Sequence, residues 1–398
     1  MAPQTPGIPQ ALPRRSVAAR TASFAAYTLS HARLAEARAA VLRALAQPRD
    51  TAAPVILVIG PAGVGKTTLL QAVARDLTWQ WRHALAADPG RLACVSLVTD
   101  VPATGSFNWK DYCTSALQAL QEPLLTRKTA PALTPGWAPH GSVDPRSPEA
   151  VLRRSLIQAA QHRAPAAFLI DEAQHLAMIS SGRKLQQQMD YIKRLADATA
   201  VPHVLVGNYG LCLLRNLNGQ LGRRTTDVHL RRYDATRPQD VADFRDVVLS
   251  FQGRLPLAEP PNLVDDWEHL YVRSVGCVGL LKAWLTRALG RALECGESTL
   301  RPADLRRAAP PPSKSQVVLQ EALEGERLLA ELDPAADLRA AEATLRGLLG
   351  LDTRSGPGGH PAPADGPAPV SMRSRRRVGQ RRPTRDPVRP DAGRERLG

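Results

Sequence analysis

The chain has few cysteines and few aromatic residues for its length of 398 residues. The five cysteines are Cys94, Cys113, Cys212, Cys277 and Cys295. They are scattered and include no Cys-x-x-Cys pair, which excludes a zinc ribbon or a disulfide framework and is typical of reduced thiols in a cytosolic protein. No apolar run reaches the roughly 20 residues that cross a bilayer, so we expect no membrane segment.

Acidic residues are missing from the first 35 positions, which instead carry several arginines, alanines and serines. This composition superficially resembles an organelle transit peptide. The prolines at Pro3, Pro6, Pro9 and Pro13 argue against a continuous amphipathic targeting helix. Targeting therefore stays an alternative to a cytoplasmic protein.

Basic residues are in excess, with 52 Lys and Arg against 37 Asp and Glu, a formal charge of +15. This balance favours a polyanionic partner, either nucleic acid or an anionic membrane. Residues 354–398 hold eleven Arg and four acidic residues, which places +7 of the charge in this tail. Its arginines could bind DNA non-specifically or recruit a partner, or they could simply solvate a disordered segment.

One stretch organises the chain. An apolar strand is predicted over Val55–Ile59, and Gly60–Thr67 then fits G-x-x-x-x-G-K-[ST] at every position, before a helix. This context indicates a phosphate cradle, in which backbone N–H groups and the positive end of the helix dipole face the anion. Lys66 would reach the β- and γ-phosphates, and the Thr67 hydroxyl would hold Mg²⁺. The assigned nucleotide-binding residues are Gly60, Pro61, Ala62, Gly63, Val64, Gly65, Lys66, Thr67 and Thr68.

A second predicted strand, Ala166–Ile170, ends in the carboxylates Asp171 and Glu172. Strand ends in α/β sheets line the ligand crevice. Asp171 is placed to hold Mg²⁺ with Thr67 as co-ligand, and Glu172 to polarise a water for attack on the γ-phosphate. The alternative is a surface acidic pair that follows a buried strand.

Three further side chains are candidates for the same site. Asn208 follows the predicted strand His203–Val206, and it either contacts the attacking water or the γ-phosphate, or is an ordinary turn residue. Arg224 could project at the nucleotide of a neighbouring subunit, or belong to a solvated basic pair. Lys282 near the start of a helix could reach the γ-phosphate, or remain solvated.

The order of elements predicts an α/β fold, with a parallel sheet covered by helices on both faces, followed by an all-helical part. We expect a flexible N-terminus at 1–23, a helical segment at 24–50, a nucleotide-binding base domain at 51–236, a helical lid at 237–309, a helical appendage at 310–354 and a disordered Arg-rich tail at 355–398.

Several motifs together resemble those of AAA+ ATPases, and more specifically the bacterial transposition regulators of the TniB/TnsC type, which are related to phage MuB. The residues that carry the resemblance are the Asp171-Glu-Ala-Gln-His-Leu176 string, Val201–Gly207, Gln220-Leu-x-x-Arg224, the segment from Phe244 to Leu257, and the Ser274-x-Gly276-x-x-Gly279 helix start.

The resemblance implies a P-loop ATPase that uses ATP and Mg²⁺, oligomerises as a ring or filament on double-stranded DNA, and contacts a transposase and a target-selection protein in the bacterial cytoplasm or nucleoid. It makes Arg224 the finger supplied in trans and Asn208 the sensor of the γ-phosphate. It also implies slow hydrolysis that DNA or a partner stimulates. Relatives usually carry Arg where this chain has Lys282, and Lys lacks the bidentate fork.

DNA contact would fall on Lys110, Arg183 and Lys184, which belong to elements that can face a central channel; each could equally be a solvated charge. The competing classes are a secretion-type or motor ATPase and a signalling switch that does not act on DNA. A small-molecule kinase is disfavoured, since no second substrate-binding insertion with clustered Arg is evident.

Overall fold

A computed structural model describes residues 16–47, 53–101, 107–122, 149–177, 183–215 and 225–331. All of them lie in the first of the two units into which the chain divides, Met1–Leu338. The predicted tail at 355–398 lies outside the described residues. Among the helices within these ranges, none is long and apolar enough to cross a membrane.

The centre of the molecule is a five-stranded parallel sheet in the order β2-β3-β4-β1-β5. Its strands are β1 (Val55–Ile59), β2 (Val95–Val98), β3 (Phe168–Asp171), β4 (His203–Gly207) and β5 (Thr225–His229). Alternate residues of β1 enter different apolar clusters, Leu57 on one face and Ile56 on the other. Both faces are therefore covered, which explains why the central strands are continuous apolar runs.

The helices around the sheet confirm most of the predicted pattern. They are α2 (Ala32–Ala46), α3 (Lys66–Gln80), α4 (Arg82–Ala87), α5 (Trp109–Ala119), α6 (Glu149–Arg163), α7 (Arg183–Thr199) and α8 (Cys212–Arg215). Because β4 lies between β1 and β3, the phosphate loop and the acidic strand end are two strands apart on one edge of the sheet.

The C-terminal part of the described chain is helical, as predicted. Its helices are α9 (Pro238–Gln252), α10 (Trp267–Ser274), α11 (Val278–Glu294), α12 (Pro302–Ala308) and α13 (Pro312–Glu331). Helices α9 to α12 share one apolar cluster around Trp284, and we call them the lid. The sheet and helices α2 to α8 are called the base.

The N-terminal region differs from the prediction of a flexible segment at 1–23 and one helical segment at 24–50. A separate helix, α1, spans Val17–Ala26, capped by the Ser16 hydroxyl, and residues 27–31 separate it from α2. Phe24 of α1 is buried in the lid cluster, where its ring lies 6.0 Å from that of Phe251. Helix α1 thus belongs structurally to the lid, although it precedes the base in the chain.

Candidate active site

The phosphate loop connects the end of β1 to the first residue of α3. Gly65 stands immediately before the helix with φ of 110°, a left-handed conformation that glycine adopts without strain. The loop is therefore shaped as an open cradle at a helix N-terminus, as the motif predicts. In this structure the Lys66 amine donates to the carbonyls of Gly60 at 3.0 Å and Pro61 at 2.8 Å, which braces the loop.

Burial and carboxylates act in opposite directions on the pKa of Lys66. Burial lowers the pKa of Lys66, while the carboxylates of Glu172, Glu321 and Asp171 oppose that shift. Two of these acids come from the end of β3, and Glu321 comes from α13. The amine is thus under the influence of carboxylates from two parts of the chain, while its hydrogen bonds go to the phosphate loop.

Thr67 and Asp171 meet directly. The Thr67 hydroxyl donates to Asp171 Oδ2 at 2.7 Å, and Asp171 Oδ1 accepts from the Glu172 backbone N–H at 2.9 Å. The Asp171 residue is only 6% exposed. Hydroxyl and carboxylate oxygens are ligands that Mg²⁺ accepts, so this pair fits the metal.

Glu172 has a strained backbone, with φ of 54° in the left-handed region. The Thr99 hydroxyl donates to its carbonyl at 2.6 Å, which holds the turn after β3. The Gln174 side chain donates to Glu172 Oε2 and accepts from the Asn208 backbone N–H at 3.2 Å. Gln174 thereby links the ends of β3 and β4.

Gln174 and Thr99 are residues to which sequence reasoning assigned no role. Gln174 was visible as part of the acidic string, but its role depends on the adjacency of β3 and β4. Asn208 itself caps a short 3₁₀ turn, Tyr209–Leu211, with its Oδ1 accepting from Gly210 N–H at 2.9 Å. This capping bond uses the amide oxygen, so the Nδ2 group is the donor that would serve a nucleotide.

The lid touches the phosphate loop through its helix α11. The Leu280 N–H donates to the Gly63 carbonyl at 3.2 Å, and the Leu280 side chain packs over Gly63. A Cβ added at Gly279 would stand 2.5 Å from the Gly63 oxygen. Only a glycine at position 279 allows the two backbones to approach this closely.

This approach makes a testable prediction for Gly279→Ala. The added methyl group meets backbone atoms, so either α11 or the phosphate loop must shift, at a cost of about 1–3 kcal/mol. We expect the affinity for a fluorescent ATP analogue to fall about tenfold in an equilibrium titration.

The matched control is Gly290→Ala in the same helix, where the nearest atom to an added Cβ is 3.8 Å away. Alanine there should leave nucleotide affinity unchanged and raise the melting temperature slightly, because it is the better helix former. Equal effects of the two substitutions would contradict a role for the contact between Gly279 and the loop.

Lys282 lies on α11, one turn beyond this contact. Its amine donates to the Ala25 carbonyl at the end of α1, at 2.6 Å, and burial lowers its pKa. In this arrangement the Lys282 side chain joins two lid helices. A role at the γ-phosphate would require its amine to leave Ala25.

Helix α13 extends from the lid to the base, across the edge of the sheet that carries the site. Val318 packs with Val275 of the lid, while Gly325 approaches the ring of Tyr209 so closely that a Cβ would overlap it. The Arg232 guanidinium donates to Glu326 Oε2 at 3.1 Å. Together with the influence of Glu321 on Lys66, these contacts make α13 part of the site's surroundings.

The structure describes the remaining predicted residues only in part. Arg224 lies outside the described residues. Arg183 and Lys184 are the first two residues of α7, and their side chains lie outside the described part of the structure. Lys110 is exposed in the first turn of α5, whose N-cap is Asn108.

Comparisons with known proteins agree with this geometry. Residues 49–213 match the family model described as an AAA domain. No curated protein matches the chain.

Solved structures with similarity to the chain include three ORC proteins. The ORC2 protein of Aeropyrum pernix with ADPNP and ADP has 16% identity and a TM-score of 0.47, covering 71% of this chain and 69% of its own. The ORC1 protein of the same organism in complex with DNA has 16% identity and a TM-score of 0.47, covering 74% and 68%. Drosophila ORC bound to DNA has 13% identity and a TM-score of 0.43, covering 77% and 68%.

Structural similarity at these levels of identity and TM-score does not indicate a function. The family match, in contrast, covers β1 to β4 and both acidic residues. Residues 49–213 therefore match an AAA domain, and they contain four of the five strands of a sheet with the P-loop NTPase fold.

Proposed function

We propose that this chain binds and hydrolyses ATP with Mg²⁺, and that its ATP-bound form assembles on double-stranded DNA as a regulator of transposition. The observation that carries the enzymatic part is the hydrogen bond between Thr67 and Asp171 with Glu172 beside it. Metal ligands and a general base then stand together at the mouth of the phosphate loop.

The proposed chemistry assigns one task to each group. Lys66 would exchange its loop carbonyls for phosphate oxygens, as a buried cation beside the loop. Thr67 and Asp171 would hold Mg²⁺, which when bound neutralises charge on the phosphates. Glu172 would accept a proton from the attacking water, with its orientation set by Gln174.

Two residues would complete the site. Asn208 would sense the γ-phosphate through Nδ2, since its Oδ1 already caps the following turn. Arg224 would act on the nucleotide of a neighbouring copy in a ring or filament, where it would stabilise the charge that develops during hydrolysis.

The DNA and transposase parts of the proposal are supported by the motif resemblance and by the basic composition. With a formal charge of +15, the chain is suited to neutralise phosphates. Hydrolysis would release the protein from DNA, so that the choice of target depends on nucleotide state. A transposase, and a target-selection protein, would bind the assembled form.

The proposal is tested by electron microscopy of the purified full chain with duplex DNA. We expect ring or filament assemblies with ATP or a non-hydrolysable analogue, and none with ADP. Lys66→Ala is the control, and it should form no assemblies with any nucleotide.

The same experiment distinguishes a DNA-bound regulator from a signalling or secretion-type ATPase. ATP hydrolysis without any nucleotide-dependent association with DNA would contradict the DNA-bound regulator and favour a signalling or secretion-type ATPase. If assemblies form, a transposase, where one is encoded beside this gene, should be captured by the chain only with ATP. Capture that is independent of ATP would contradict the proposed recruitment.

A further inference from the structure

A cleft on the lid is lined by basic side chains from four helices. We call this cavity of about 240 Å³ the lid cleft. Its basic residues are Arg273 of α10, Arg287 and Arg291 of α11, Arg307 of α12 and Lys314 of α13. The lining contains no acidic residue and no aromatic residue. Five positive charges in one small cavity attract an anion.

Main-chain carbonyls hold three of these guanidinium groups in place. Arg291 Nη1 donates to the Arg307 carbonyl at 3.0 Å, Arg273 Nη1 to Pro310 at 3.3 Å, and Arg287 Nη2 to Ala308 at 3.4 Å. These bonds satisfy carbonyls at and just beyond the end of α12, which is a structural role. Each of them, however, uses one of the five N–H donors of a guanidinium.

The cleft keeps most of its positive charge. Arg307 lies 3.7 Å from Asp304, but its side chain is 71% exposed, so this ion pair screens little of the charge. Arg287 and Arg291 are exposed and one helical turn apart, about 6 Å along α11. The anchored guanidinium groups are thus spaced along a surface and need little ordering to bind an extended anion.

We propose that the lid cleft binds the phosphate backbone of double-stranded DNA. Arg presents a planar fork that matches phosphate oxygens, and four of the five basic residues are Arg. An acidic protein partner fits less well, because aromatic anchors usually dominate protein interfaces and this cleft has none. Phosphate contacts of this kind read no base sequence.

This assignment rests on the proposed function, and it adds a DNA contact that differs from Lys110, Arg183 and Lys184. It also connects DNA to the nucleotide. Leu280 lines the lid cleft and packs over Gly63 of the phosphate loop. One side chain therefore separates the two sites, and we expect DNA affinity to change with the bound nucleotide.

The test is fluorescence anisotropy with a labelled duplex of mixed sequence and the full chain in the presence of a non-hydrolysable ATP analogue. For the double variant Arg287→Gln with Arg291→Gln we expect affinity to fall at least about tenfold near 0.1 M salt. The log–log dependence on salt should become shallower by about 1.8, as expected for the loss of two phosphate contacts.

The control pair is Arg43→Gln with Arg75→Gln, two exposed arginines of α2 and α3. It changes the net charge equally and should leave affinity and salt dependence close to those of the unaltered chain. Binding of the ATP analogue by every variant confirms that the site still folds.

The outcomes are distinct. If the unaltered chain shows no ATP-dependent DNA binding, the proposed function fails. If it binds and the cleft variant binds equally well, or the control pair weakens binding as much, the cleft assignment alone is overturned. The cleft assignment is also overturned if an acidic polypeptide displaces DNA from the unaltered chain but not from the cleft variant, and the two proteins show the same salt dependence of DNA binding.

Discussion

Glu172→Gln should reduce the rate of ATP hydrolysis by about 10²–10⁴-fold while ATP still binds. The substitution keeps the shape of the side chain and removes the group that accepts a proton. Thr67, Asp171 and Lys66, which hold metal and phosphates in the proposed mechanism, are unchanged. The measurement is phosphate release at saturating ATP, together with a titration of a fluorescent ATP analogue.

A matched variant tests how Glu172 is oriented. Gln174→Ala removes the side chain that donates to Glu172 Oε2 and accepts from Asn208 N–H. It leaves the carboxylate in place, so we expect a smaller loss of hydrolysis than for Glu172→Gln and little change in ATP affinity. Normal hydrolysis by Glu172→Gln would show that another group is the base.

Lys66→Ala should weaken ATP binding by at least about a hundredfold. Charge-assisted hydrogen bonds contribute about 1.5–3 kcal/mol each, and the amine would make more than one with the phosphates. Its loss would also remove a positive charge with which the carboxylates of Asp171, Glu172 and Glu321 interact electrostatically. The measurement is the same equilibrium titration.

Glu321→Gln should change ATP affinity in the direction opposite to that of Lys66→Ala. It removes a negative charge that acts on Lys66 from α13, so ATP affinity should rise. Lys66→Arg keeps the charge but not the compact amine, and it should recover only part of the binding. ATP affinity of Lys66→Ala equal to that of the unaltered chain would place the phosphates away from the loop.

Elements that depend on a short contiguous stretch of residues could be predicted from the sequence. β1 and β4 are continuous apolar runs because both of their faces are buried, and the phosphate loop is a single contiguous motif. The position of the acidic pair at the end of a buried strand could also be predicted, because the apolar run that precedes it is contiguous. Their proximity, with Thr67 and Asp171 in contact, follows once the sheet is known to be parallel.

Features that depend on distant contacts could not be predicted. The composition of residues 16–26 gives little sign that Phe24 is buried against Phe251, which lies far along the chain. The partner of Lys282 in turn depends on the position of α1. The closeness of Gly279 to Gly63, and of α13 to Tyr209, likewise results from how separate parts pack.

The position of α1 has a mechanical consequence. The chain passes from lid to base at residues 27–31 and returns near residue 233, and the two passages are joined where His31 Nδ1 lies 3.0 Å from the Tyr233 hydroxyl. The two passages are thus tied to each other by a side-chain contact, so any displacement of the lid relative to the base must keep or break this contact. Because Lys282 bonds α1 to α11, a displacement of α1 would also act on Gly279, which lies against the phosphate loop.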